Sequence, residues 1–191
     1  MYLTFDTETT GLPSNWKAPI TDVNNWPRMV QVAWLNHDAE GNLINKHSHI
    51  IRPEGYRIPQ GAARVHGITT ERAMVEGEDL AEILQFFAND VANAEYLIAH
   101  NMSFDEKIIG AELIRKSIDH QLFSKNRLCT KELSTNYCAI PNHYGYKWPT
   151  LSELHIKLFG EDFGDAHDAF ADAEATARSF FKLKELNVIK K

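Results

Sequence analysis

The run Tyr96-Leu97-Ile98-Ala99 constrains the fold more than any other stretch of this chain. A strand that is apolar at every position needs cover on both faces, so it belongs inside a sheet with packed layers on each side. A helix follows at once, with Ser103 placed to cap a segment from residue 104 to about 116. Upstream the pattern differs. Residues 2–5 have the aromatic and β-branched bias of a strand, broken by Gly11-Leu12-Pro13. Residues 29–35 suit a second strand, with Val30, Val32 and Trp34 on one face. A turn at Asp38-Ala39-Glu40-Gly41-Asn42 leads to a third over residues 43–51, ended by Pro53 and Gly55.

These three strands read as antiparallel, after which strand and helix alternate. Asp79 caps a run in which Leu80, Ile83, Leu84, Phe87 and Val91 recur at helical spacing, with Glu82 where a capping box places an acid. Thr150-Leu151-Ser152-Glu153 is a further capping box; its helix turns Leu151, Leu154 and Leu158 inward and stops at Gly160. A last helix covers about residues 168–186, with Phe170, Ala173, Ala177 and Phe181 along one side. The expectation is an α/β fold: a mixed central sheet, antiparallel strands first and parallel strands after, flanked by helices. At 191 residues, one domain over 1–191 has room for a sizeable core. Between the first two strands, residues 13–27 hold three prolines, several Asn and Asp, Trp16 and Trp26. This predicts a long loop, and loops of that length inside compact domains are often functional.

Apolar residues make up 43% of the chain and charged residues 24%, as in soluble globular proteins. No charged-then-apolar leader precedes the first strand, and no apolar stretch approaches the ~18 residues of a membrane span, so a cytoplasmic location is expected. Cys129 and Cys138 are too few for a disulfide scaffold, lack metal-site spacing and read as reduced thiols. Lys190-Lys191 reads as a solvated tail. A net charge of −6 argues against a nucleic-acid partner. That argument fails if the acids hold divalent cations, which reverse the local field.

Three patches decide the matter: Phe5-Asp6-Thr7-Glu8-Thr9-Thr10-Gly11, His100-Asn101-Met102-Ser103-Phe104-Asp105, and His167-Asp168-Ala169-Phe170-Ala171-Asp172. Asp6 and Glu8 are two apart on an extended segment and share one face, with Thr7 on the other. Asp105 sits in the first turn of a helix after a buried strand, where α/β folds gather ligands. Asp172 is in the first turn or so of the final helix, whose N-terminus favours an anion. Taken singly, Asp105 and Asp172 suit ordinary helix-start acids, Glu8 a surface acid and His167 a hydrogen-bonded loop histidine. Jointly they suit phosphodiester hydrolysis, in which two divalent ions activate water and neutralise phosphoryl charge, held by a few carboxylates.

On these residues the chain resembles the DEDDh family of 3′–5′ exonucleases, which includes the proofreading epsilon subunit of bacterial replicative DNA polymerase, ribonuclease T and oligoribonuclease. The likeness covers nearly the whole chain and implies a ribonuclease H-like exonuclease fold. It implies that Asp6, Glu8 and Asp172 hold one Mg²⁺ or Mn²⁺ ion, and that Asp6 also reaches a second with Asp105 nearby. His167 would take the proton of the attacking water, a task suited to a group that titrates near neutral pH. The family spacing selects Asp172 over Asp168, which is left to cap the helix. Thr7, Thr9, Gly11 and Leu12 would hold the 3′-terminal nucleotide, with Asn101 and Phe104 lining its pocket. His66, in His66-Gly67-Ile68-Thr69, would lie beside it.

The implied activity is metal-dependent 3′–5′ hydrolysis of single-stranded nucleic acid, DNA favoured over RNA, to nucleoside 5′-monophosphates, in proofreading or repair. The chain carries no polymerase portion, so a polymerase partner would be a separate chain. Two rivals remain: an RNA-directed exoribonuclease or oligoribonuclease, and a catalytically silent module that binds nucleic acid or a polymerase. The aromatics and Lys147 in Asn142-His143-Tyr144-Gly145-Tyr146-Lys147-Trp148-Pro149 could steer single strands or pack the loop onto the domain.

Overall fold

The computed structural model describes residues 1–164 and 167–189, so the Lys190-Lys191 tail lies outside the described residues. Five strands form the main sheet: β1 (Tyr2–Thr9), β2 (Met29–His37), β3 (Leu43–Ile50), β4 (Tyr96–Ala99) and β5 (Asn126–Cys129), in the order β3-β2-β1-β4-β5. The first three pair antiparallel, and β4 joins β1, and β5 joins β4, in parallel. The mixed sheet expected from the sequence is therefore present, with β1 at its centre.

Alternation along β1 sends Leu3, Phe5 and Thr7 to one face and Tyr2, Thr4, Asp6 and Glu8 to the other. The first face carries α3 (Leu80–Asn93) and α4 (Met102–Lys116), whose Leu84, Phe87, Ile108 and Ile109 enclose Leu3, Phe5, Trp34 and Leu97. The second carries α8 (Ala169–Glu185) and, behind it, α7 (Leu151–Phe159). Each large side chain so enclosed contributes roughly 1.5–3 kcal/mol. Asp79 caps α3 and Thr150 closes a full capping box on α7, as their residues predict.

Five elements depart from expectation. The buried stripe of α8 runs through Ala169, Ala173, Thr176, Phe180 and Leu183, while Phe170 and Phe181 are only half-buried. Alanines let the helix lie close on Ala33 and Leu35, and that approach rotates both phenylalanines toward its flanks. Helix α4 starts at Met102, so Ser103 is inside it. The N-cap position belongs to Asn101, which adopts a left-handed φ of 85° and turns its side chain to Lys131. Asn tolerates that conformation better than most residues. Finally, α1 (Gln60–His66), α2 (Thr70–Glu76) and β5 are absent from the sequence pattern. The helices have two turns each, and β5 fully buries only Leu128.

The 13–27 segment is irregular, as predicted, but fastened down. Glu112 of α4 is fully buried, accepts from Arg28 Nε at 2.8 Å and the Met29 N–H at 3.0 Å, and pairs with Arg115 at 3.0 Å. Arg115 in turn donates to the carbonyls of Val23 and Trp26. Lys107 of the same helix donates to the Trp16 carbonyl at 3.2 Å, so both parts of the loop are tied to the helix that carries Asp105.

Candidate active site

Asp6 and Glu8 project from the end of β1 toward the N-terminus of α8. A register shift follows Glu8, so the regular ladder ends at the residues that carry the acids. Opposite Glu8 on β2 is Gln31, whose Nε2 donates to Asp168 Oδ2 at 3.0 Å and whose Oε1 accepts the Ala169 N–H at 3.2 Å. Asp168 also takes the N–H groups of Phe170 and Ala171. It is the cap assigned to it by spacing. This clamp fixes the start of α8, so Asp172 one turn later faces the β1 acids.

Asp105 arrives from the other side of the sheet. It is buried, and its Oδ1 accepts the Thr7 N–H at 3.1 Å and the Thr7 hydroxyl at 2.7 Å. Thr7 does point away from Asp6 and Glu8, and that orientation lets it hold the fourth carboxylate against the strand. The four acids meet in a cleft of about 350 Å³ lined also by Leu12, Trp16, His100, Asn101, Phe104 and His167.

Charge in this cleft is poorly compensated. Burial, then the Asp105, Asp172 and Glu8 carboxylates, holds the Asp6 carboxyl well above its usual range. Burial, then the Asp172, Asp105 and Asp168 carboxylates, pushes Glu8 up to about 8. Asp105 rises to about 7 through burial, although the Thr7 hydrogen bonds oppose the shift. Burial raises Asp172 to about 6, opposed by His167 beside it. Such clustering of raised carboxyl pKa values marks functional sites.

His167 is exposed and held at a left-handed φ of 73° ahead of α8. Among the described residues, Glu8, His167 and Asp172 each offer a ligand atom within 4.8 Å of the others. Asp172 Oδ1 is buried and lacks a hydrogen-bond partner among the described residues. An orphaned carboxylate oxygen among mutually repelling acids is what divalent cations would satisfy, and oxygen-rich donors suit Mg²⁺ or Mn²⁺. The residues fit such ions.

The remaining sequence-derived residues divide. Leu12, Asn101 and Phe104 line the acid cleft, and Leu12 is 73% exposed at its mouth. Thr9 and Gly11 do not line it; the Thr9 hydroxyl donates to the Gly11 carbonyl at 2.7 Å and shapes the turn beneath Leu12. His66 lines a neighbouring cleft that shares His167. Its Nδ1 accepts the Ile68 N–H at 3.1 Å, and burial lowers its pKa. Two cleft residues lack a role from spacing alone, Trp16 and His100. Trp16 packs on Phe104 with ring centroids 5.6 Å apart. His100 stands between Thr130 Oγ1 at 3.0 Å and the Pro149 carbonyl at 3.2 Å, and burial drives its pKa down to about 4. Their signals were an aromatic in a proline-rich loop and the first residue of the second patch.

The sequence and the fold have relatives among known proteins. The PolC-type DNA polymerase III of Streptococcus thermophilus is 32% identical over 183 residues, covering 94% of this chain and 11% of that protein. The Streptococcus suis counterpart is 30% identical over 181 residues. This chain therefore spans about a tenth of the length of these relatives. E. coli exonuclease I bound to a dT13 oligonucleotide superposes with a TM-score of 0.75 at 24% identity, covering 96% of this chain and 40% of that one. Its zinc-bound complex with single-stranded DNA superposes with a TM-score of 0.76 at 22% identity, covering 98% of this chain and 41% of that one. Both show that the fold is the ribonuclease H-like exonuclease fold. Residues 3–180 match the Exonuclease family RNase_T, and the chain belongs to that family.

Proposed function

We propose that this chain is a divalent-metal-dependent 3′–5′ exonuclease domain that releases nucleoside 5′-monophosphates from single-stranded nucleic acid, DNA in preference to RNA. The observation that carries it is the convergence of Asp6, Glu8, Asp105 and Asp172 from two strand-end positions and two helix starts, beside His167. Asp6, Glu8 and Asp172 would hold one ion, and Asp6 with Asp105 a second. Ions bound there supply activation of water and charge compensation on the phosphoryl oxygens.

The chain's own groups do the rest. The exposed His167 ring reaches the cleft from the side of Glu8 and Asp172 and takes the proton of the attacking water. Thr7 positions Asp105. Leu12 and Phe104 offer apolar contact to the terminal base, a contact that tolerates any sequence because every base has a π-face. Support for DNA comes from the polymerase named among the relatives and from the oligonucleotide named in the exonuclease I complex. In a polymerase setting the domain would remove misincorporated 3′ ends.

The test is digestion of a 5′-labelled single strand with Mg²⁺ or Mn²⁺, in parallel for DNA and RNA. A ladder shortening from the 3′ end is expected, lost in EDTA and in Asp6→Ala. Cleavage that persists in that variant overturns the mechanism, and faster loss of RNA reverses the substrate preference.

A further inference from the structure

A second cleft, about 500 Å³, adjoins the acid cleft and is lined by His100, Asn101, Lys131, Lys147, Trp148 and Pro149, with Thr150 and Leu151 at its rim. His100 and Asn101 line both, so the two clefts are continuous across the C-terminal end of β4. The aromatic rings of the stretch beside it stay largely exposed, while Pro149 at its end is buried against the domain. It folds as a small hairpin, β6 (Pro141–Asn142) and β7 (Gly145–Tyr146), that leaves Tyr144 100%, Tyr146 52% and Trp148 60% exposed. The hydrogen bond from His100 to the Pro149 carbonyl ties this loop to the active site.

Charge gives the cleft a direction. Lys131 Nζ lies 4.7 Å over the Trp148 ring and donates to Asn101 Oδ1 at 2.9 Å. Among the described residues no carboxylate lies within ion-pair distance of it. Lys147 is held by Glu153 at 2.8 Å. On a chain of net charge −6, an unneutralised lysine beside an exposed indole at the mouth of an acidic active site favours a polyanion with flat rings.

We propose that this cleft is the binding path for the single strand upstream of the nucleotide being removed, with one base stacked on Trp148 and a phosphate set against Lys131. The inference rests on the exonuclease reading and extends it: the enzyme grips several nucleotides and prefers long strands to dinucleotides. Stacking on an aromatic side chain is sequence-tolerant, so the path would serve any 3′ end.

The test measures affinity by fluorescence anisotropy for a twelve-nucleotide oligo-dT and the corresponding dinucleotide, with cleavage followed in the same samples. In the native chain the longer strand should bind more tightly. Trp148→Ala should reduce that length preference about tenfold, Trp148→Phe should restore most of it, and Lys131→Gln should flatten the salt dependence of binding to the longer strand. A length preference unchanged in both Trp148→Ala and Lys131→Gln overturns the proposal even if cleavage is normal. Tight, Trp148-dependent binding without cleavage upholds the path and removes the nuclease reading instead.

Discussion

Glu112 and Asp6 are both acids enclosed by the fold, and the chain treats them in opposite ways. Glu112 sits between Arg28 and Arg115, and its Oε1 also accepts a backbone N–H, so a fully buried charge has two guanidinium groups against it although its Oε2 lacks a hydrogen-bond partner among the described residues. Asp6 faces three other carboxylates across a cleft, and among the described residues no arginine or lysine lines it. Glu112 is on α4 and Asp6 lies beside Asp105 of the same helix, so proximity to that helix does not explain the contrast. One arrangement has its charge neutralised within the folded chain and ties a loop to a helix. The other is neutralised only by added positive charge. The lesson is that an acid's surroundings, rather than its burial, separate a structural role from a chemical one.

The largest expected effect breaks that contrast on the side of the site. Asp6→Asn or Asp172→Asn should lower exonuclease turnover on the order of 10³-fold or more, the scale on which one preorganised charge-handling group acts. The same variants should leave the metal-free protein as stable as the native chain or more so, since a repelling charge is gone. Initial rates and thermal melts in EDTA check both halves. A large drop in melting temperature would show that these carboxylates act as Glu112 does.

Glu112→Ala should do the reverse. Removing one partner from a buried pair costs about 3–5 kcal/mol because the guanidinium groups stay desolvated. For a chain of this size the melting temperature should fall roughly 10 °C. Turnover measured well below the new melting point should fall much less than in Asp6→Asn. Retained stability would mean that Arg28 and Arg115 find other acceptors, Glu54 near Arg28 being the first candidate.

Proton linkage sharpens the comparison further. Glu8 at about 8 and Asp105 at about 7 lie above their ordinary values, so the folded chain holds protons that the unfolded chain has released. Stability is then lost as pH rises through those values. His100 opposes this below pH ~6.5, because burial makes it bind protons less readily than in the unfolded chain. The acids are therefore unopposed between about pH 6.5 and 8. In EDTA the melting temperature should fall across that window, and Mg²⁺ or Mn²⁺ should raise it more at pH 8 than at pH 6.5. A metal-free melting temperature that climbs over the same range would contradict the electrostatics of the cleft.

Much of this was legible in the sequence, for a physical reason. Strand alternation fixes which side chains share a face, so Asp6 and Glu8 could be paired without coordinates. The apolar run at residues 96–99 likewise required a covered sheet. Asp168 could be assigned as a cap because its side chain answers to N–H groups two and three residues on. What escaped depended on partners distant in the chain. Gln31 earns no attention as a strand residue until it is seen to hold the start of α8, 137 residues away. Trp16 needed Phe104 beneath it, and Asn101 took the helix cap from Ser103 because Lys131 and the cleft draw it into a left-handed turn. Hairpin aromatics at 144–148 could have packed inward or outward by pattern alone, and only their exposure decides.

The smallest expected effect concerns how Asp105 is held. Thr7→Val keeps the shape of the side chain and the backbone N–H bond but removes the 2.7 Å hydroxyl bond. A hydrogen bond to a charged group contributes roughly 1.5–3 kcal/mol, and the remaining backbone bond should keep the loss near the lower end. Asp105 would then be less well oriented and its carboxyl driven higher still, since the hydroxyl is one of the groups that restrain it. Turnover should fall about tenfold with little change in KM, and the pH at which activity reaches half its maximum should move upward. Raising pH should recover part of the loss in Thr7→Val but none in Asp105→Asn. Equal, pH-independent losses in the two variants would mean that the hydroxyl holds the strand end rather than the charge of the carboxylate, which would place Thr7 with Glu112 on the structural side of the comparison.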